Sequence, residues 1–168
     1  MCWVCLGVGF AALNVAAEMC PVLWYPSPAV SAMQTAMGAR ALQMWPVRTL
    51  LDTGALVFYG SDWPSVALDT NPWPGVESMV SRADPYGRFE GVYWAEQAID
   101  LTEALRIFTI NGAVAGKQAD TTGSLEVGKR ADFIVLATNP FEMAVADISE
   151  IQVLRTYVDG VEVWAAPP

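Results

Sequence analysis

The sequence predicts an α/β fold that passes into a small antiparallel β unit, and three observations carry that expectation. A proline-started helix closed by glycine leads into a short apolar run at residues 55–60. This is the helix–Gly–strand order of α/β proteins, whose buried parallel strands read as continuous apolar stretches. Near the C-terminus, Asp159-Gly160 lies between two apolar runs, the two-residue hairpin turn in which both positions want positive φ. Composition supplies the core: 54% of the 168 residues are hydrophobic and 16% are charged, which excludes a disordered chain.

The elements follow in order. Residues 1–13, MCWVCLGVGFAAL, form an unbroken apolar run, shorter than the roughly 20 residues that span a bilayer. The first Lys or Arg is Arg40, so a signal peptide's positive leader is missing; secretion with cleavage near Ala16-Ala17 stays as an alternative. The run is expected to be a buried helix or strand, of the kind met where a chain begins mid-domain. Ser27-Pro28 is a helix start, an N-cap followed by proline at the first helical position. Val30, Met33, Met37, Ala41 and Met44 follow at helical spacing, with the methionines as core filling. Pro46 opens a second helix, VRTLLDT, closed by Gly54 ahead of the strand.

Residues 65–98 lack sustained periodicity and are rich in Pro, Trp, Asp and Gly, with a short helix expected around residues 76–81. A loop this long inside a domain has a job, such as covering a site. Asp100-Leu-Thr-Glu103 is a capping box. Leu101, Leu105 and Phe108 give its helix a buried stripe, and the helix frays near Asn111-Gly112 or Gly116. Residues 132–136 read as a strand, Asn139-Pro140 as a turn, and residues 153–158 and 161–164 as the closing hairpin. The division is residues 1–118 for the α/β portion and 119–168 for the small β portion.

Charge and residue counts restrict function. Eighteen acidic residues against nine basic ones give a net charge of −9, which excludes a nucleic-acid partner. There is no histidine, so Ser-His-Asp and Cys-His catalysis, His-ligated zinc and a His pH switch are excluded for this chain acting alone. The cysteines, Cys2, Cys5 and Cys20, are odd in number and confined to the first 20 residues. That fits a reduced, cytoplasmic protein better than a disulfide framework. Cys2 and Cys5 have C-x-x-C spacing, but a metal knuckle needs two further soft ligands, so both read as buried small hydrophobes.

The chemistry centres on GSDWP, residues 60–64. An aspartate at the carboxyl end of a buried strand sits where α/β proteins place catalytic groups; Asp62 could equally cap the following turn. Ser61 has no histidine to activate it.

The run RTLLDTGALVFYGSDWPS resembles the end of the catalytic barrel in the metal-dependent amidohydrolase superfamily. The resemblance is to its amidohydrolase-3 family, which includes N-substituted formamide deformylase-like enzymes. LTEALRIFTINGAVAG is similar to that family's helix after the last barrel strand, and TGSLEVGKRADFIVLATNPF to its return into the small β-sandwich. VLRTYVDGVEVW is similar to its closing hairpin, and the blocks together cover residues 46–64 and 98–164. The resemblance implies a (β/α)₈ barrel followed by the β-sandwich. It implies one or two divalent metals, zinc foremost, held by histidines and by an aspartate on the last strand. In such a site the metal acidifies a water. The aspartate takes the water's proton and passes it to the leaving nitrogen of a small amide-type substrate.

Asp62 is the residue of this chain that matches the metal-ligand and general-base position. Trp63, Trp73 and Arg82 fall where the family builds pocket walls, and Arg82 could meet a substrate carbonyl or carboxylate. Gly123, Gly128, Lys129 and Asp132 carry over as turn residues, and Asn111 as a helix-end hydrogen bonder. A full barrel takes about 250 residues, whereas about 118 precede the β unit here. The chain therefore reads as a C-terminal piece with two or three βα units, and it is expected to bind no catalytic metal and hydrolyse nothing alone. A rival reading is an interaction or scaffold protein, or the partner-dependent half of a split protein. An incomplete barrel exposes strand edges and would need a partner or a second copy. A third reading is a membrane-associated or secreted chain using residues 1–20.

Overall fold

The computed structural model describes residues 3–65 and 69–167. Cys2, and with it the C-x-x-C spacing, lies outside the described residues. The apolar start is helical: α1 spans Trp3–Ala12. It packs on α3, Val47–Asp52. Gly7 makes the approach possible, because a Cβ there would stand 3.2 Å from the Thr53 Cβ. Within α1 Gly7 is buried, while Val8 and Ala12 are exposed.

After α1 the chain forms β1, Ala17–Met19, a three-residue strand without a sequence signal of its own. It pairs in parallel with β2, Val57–Tyr59, in the register Ala17↔Val57, Glu18↔Phe58 and Met19↔Tyr59. Between them lies α2, Pro28–Met37, where the Ser27 hydroxyl accepts from the Val30 N–H at 3.3 Å. Gly38 (φ 62°) stops α2, so Ala41 and Met44 fall outside it. Val30 is buried, while Met33 and Met37 are half-buried.

The helix expected at residues 76–81 begins a turn earlier, as α4, Trp73–Ser81. Pro72 and Pro74 suit a first turn, where proline's missing N–H costs nothing. Seven of its nine residues are buried. α5, Leu101–Phe108, has both arms of its capping box: Asp100 accepts from the Glu103 N–H at 2.8 Å, and Glu103 accepts from the Asp100 N–H at 3.0 Å. Its fully buried positions are Ala104 and Ile107, and Leu101, Leu105 and Phe108 flank them, packed against the core. A break at Thr109 separates it from α6, Ile110–Ala115.

Trp24, Val47, Leu50, Val57, Trp73, Val76, Met79 and Ile107 form one core with Ile148 and Ile151 from the C-terminal part. The three-stranded antiparallel sheet runs β3–β4–β5, with β3 Phe133–Leu136, β4 Val153–Val158 and β5 Val161–Ala165. Asp159 (φ 54°) and Gly160 (φ 78°) make the hairpin turn as expected. Gly123 (φ 88°) and Gly128 (φ 93°) also hold left-handed conformations. Between them and β3, Lys129 donates to Ser124 at 2.7 Å and Asp132 accepts from the Asp159 N–H at 2.8 Å.

Candidate active site

The parallel pair sets the site. Both strands end on the same side, where α/β folds place ligands. Alternation assigns the faces. Ala17, Met19 and Val57 are buried, and Tyr59 stacks on Phe108 of α5 with ring centroids 4.0 Å apart. Glu18 takes the opposite face and is exposed. Asn111 of α6 donates its Nδ2 hydrogen to the Val57 carbonyl at 2.8 Å, fixing the helix against the strand. Its role is therefore the hydrogen bonding expected of it.

Past β2 the ladder continues for one bond, Gly60 N–H to Met19 O at 3.0 Å. The chain then turns at Asp62, which is exposed with φ 53°. The Asp62 carbonyl accepts from the Ser65 N–H at 2.8 Å, and the Ser61 hydroxyl accepts from the Trp63 N–H at 3.2 Å. Trp63 is exposed beside Asp62. Gly60 is a close-approach position: a Cβ there would stand 2.8 Å from Cδ and 2.9 Å from Cγ of Glu18, and its carboxylate oxygen would be closer still. The Glu18 side chain therefore lies across the start of the GSDWP turn. Burial raises the half-buried Cys20 thiol pKa, and the Asp62 and Glu18 carboxylates raise it further. Burial likewise raises the Tyr59 phenol.

Of the residues that the sequence pointed to, Asp62 and Trp63 stand together at the strand end. Trp73 and Arg82 are buried at the two ends of α4. Trp73 is part of the core. Arg82 is fully buried in a left-handed conformation, φ 56°. Its carbonyl accepts from the Tyr93 N–H at 2.9 Å and its Nε donates to the Tyr93 carbonyl at 3.0 Å. Its guanidinium carbon lies 5.0 Å from the Trp24 ring centre and 5.5 Å from that of Tyr93. Among the described residues neither Nη has a hydrogen-bond partner, and burial lowers the guanidinium pKa to about 10. Arg82 thus closes the loop 82–93 at its base. Within that loop Asp84 accepts from the backbone N–H groups of Tyr86, Arg88 and Phe89, and the Arg88 side chain pairs with it at 3.3 Å.

Glu18 and Cys20 carry no sequence signal that ties them to this site. The alternation of Ala17 and Met19 around Glu18 is too short to separate from a turn. Among the described residues no group of three or more His, Cys, Asp or Glu could hold a metal ion. Asp62 alone does not fit the divalent centre that the resemblance implies, which needs imidazole donors this chain does not contain. What the arrangement offers is proton transfer and hydrogen bonding by exposed carboxylates.

Comparison with known proteins assigns the chain. Residues 9–164 match the amidohydrolase family. The N-substituted formamide deformylase of Arthrobacter pascens is 38% identical over 122 residues, which are 71% of this chain and 21% of that protein. The Protein LONG AFTER FAR-RED 3 of Arabidopsis thaliana is 36% identical over 117 residues, 70% of this chain and 19% of that protein. The chain thus spans about a fifth of the length of these relatives. Among solved structures, an amidohydrolase from Thermotoga maritima superposes with a TM-score of 0.65 at 22% identity, covering 97% of this chain and 35% of that one. An adenosine deaminase from Xanthomonas campestris with bound zinc gives 0.62 at 20% identity, covering 94% and 34%. These likenesses establish a shared fold. With the family match covering most of the sequence, the chain belongs to the amidohydrolase family.

Proposed function

We propose that this chain supplies the closing strands of a barrel hydrolase that cleaves carbon–nitrogen bonds other than peptide bonds in small amide-type substrates. The observation that supports this most is the position of Asp62, an exposed carboxylate at the carboxyl end of a parallel strand in an amidohydrolase-family chain. In this reading Asp62 accepts the proton of the attacking water and returns it to the leaving nitrogen. Trp63 forms a wall of the pocket. Trp73 and Arg82, expected as pocket walls, are buried instead: Trp73 seats α4 in the core, and Arg82 ties loop 82–93 closed. The similarity to an N-substituted formamide deformylase makes N-substituted formamides the first substrates to try.

The remaining barrel strands and the imidazole ligands of a zinc site lie outside these 168 residues, so the 168 residues alone bind no stoichiometric zinc and turn nothing over. Metal analysis and formanilide hydrolysis test this. One zinc per purified chain, with turnover, would overturn it. In the complete enzyme Asp62→Asn is expected to lower kcat by about 10²–10⁴-fold, and an unchanged kcat removes Asp62 from the mechanism. A second reading, a scaffold or partner-dependent half, draws on the exposed apolar side chains of β5, Val161, Val163 and Trp164.

A further inference from the structure

We propose that Glu18 is a specificity-determining residue of the same site, favouring amide substrates that are neutral or cationic on this side and disfavouring those that carry a carboxylate there. The inference rests on the reading of Asp62 as the reacting carboxylate.

Three observations support it. First, the register of the parallel pair sets Glu18 opposite Phe58, on the face away from the buried Ala17, Met19 and Val57. Second, the missing side chain at Gly60 leaves the room that the Glu18 chain occupies. A Cβ at position 60 would meet Glu18 Cγ, Cδ and Oε1, so the two positions share that face. The carboxylate is thereby carried to the start of the turn that presents Asp62. Third, the charges felt by the half-buried Cys20 thiol, next along β1, are those of Asp62 and Glu18, both negative.

Among the described residues, the two arginines of the loop that follows α4 are committed elsewhere. Arg82 is sealed between Trp24 and Tyr93, and Arg88 is committed to Asp84. A substrate group approaching Asp62 along β1 therefore meets two carboxylates. The pair attracts a cation and repels an anion, most strongly once barrel closure has excluded water.

The test uses Cys20 as a reporter of local potential in the 168-residue chain, with Cys2→Ser and Cys5→Ser leaving a single thiol. Modification rates are compared for two methanethiosulfonates of similar size, one trimethylammonium and one sulfonate, at low ionic strength. Small-thiol controls correct for intrinsic reactivity. The cationic reagent is expected to be faster by about tenfold, and Glu18→Gln to reduce that ratio by about threefold. Glu18→Asp keeps most of it. A ratio unmoved by Glu18→Gln overturns the proposal, and it does so whether or not the chain is part of a hydrolase. In the complete enzyme the matching readout is kcat/KM for formanilide against 4-formamidobenzoate, a preference that Glu18→Gln should narrow. If neither anilide is cleaved, the amidase reading is in difficulty while the labelling ratio still decides whether Glu18 sets the potential at this strand end.

Discussion

Two buried carboxylates titrate in opposite senses, and each predicts a pH dependence. Glu77 on α4 is almost fully buried and accepts from the Ser149 N–H at 2.8 Å. Burial raises its pKa, and the Ser149 bonds oppose the shift only partly. A carboxyl raised in the fold favours folding below its ordinary pKa, and that contribution is lost as pH rises through the raised value. Glu77→Gln keeps the acceptor and removes the charge. Its thermal midpoint should therefore exceed the wild type's at pH 7, and the gap should close near pH 4. For Asp84, burial alone would raise the pKa, but the bonds from Arg88 and from the Tyr86 and Arg88 N–H groups hold it below its ordinary value. Its contribution is present above that ordinary value and disappears as pH falls through the lowered one. Asp84→Asn should cost roughly 1–3 kcal/mol at pH 7, read by urea melts, and progressively less as pH falls below the ordinary carboxyl range. A pH-independent difference for either variant would show that its charge is not what matters.

At the scale of elements, the strongest joints are hydrogen bonds between segments distant in sequence. Asn111 holds α6 to β2 through the Val57 carbonyl. Asn111→Ala should cost about 1–2 kcal/mol in a denaturant melt, because it orphans that carbonyl. Loss of the α5 cap by Asp100→Ala should cost about 1 kcal/mol, and Arg48 raises the stake by pairing with Glu103 at 2.7 Å. The legibility of these elements in the sequence follows from how local their causes are. The capping box, the Ser27-Pro28 start and the Asp159-Gly160 turn are all built within four residues, and all were readable. β1 was not, because three residues around a glutamate have no periodicity to detect and exist as a strand only through β2. The stripe of α5 centres on Ala104 and Ile107, with Leu101, Leu105 and Phe108 at its flanks, since the neighbouring α4 decides which face is sealed. The place of Asp62, just past an apolar strand, was legible, since the strand and the Gly60-Ser61 that follow it are local in sequence. The interior placement of Arg82 was not, because a lone cation in a loop-rich stretch reads as solvated until Trp24 and Tyr93 are brought over it from distant segments.

The whole molecule carries opposing signals about association. Among the described residues the parallel sheet has two strands, each with one unpaired edge. β5 is exposed along its length, with Val161, Val163 and Trp164 facing solvent, and Leu125 and Val127 are exposed as well. Unpaired edges and apolar side chains of this kind template pairing with another chain. Against them stands the net charge of −9, which makes two copies repel over a Debye length of about 10 Å at 0.1 M salt. The repulsion is screened by salt and the apolar attraction is not, so raising ionic strength should shift the balance toward association. Light scattering coupled to size exclusion should therefore show a mass near 18.1 kDa at low salt and larger species at 0.5 M sodium chloride. Val163→Lys adds a positive charge to the edge strand and removes an exposed apolar group, a standard protection of sheet edges. If β5 is the associating surface, that variant stays monomeric in high salt, while a charge-reversal variant far from the sheet, such as Glu96→Lys, does not. A wild-type chain that remains at 18.1 kDa across both salts and the full concentration range would mean that the exposed strand is already protected by its own charge, and the partner-dependent reading would lose its physical support.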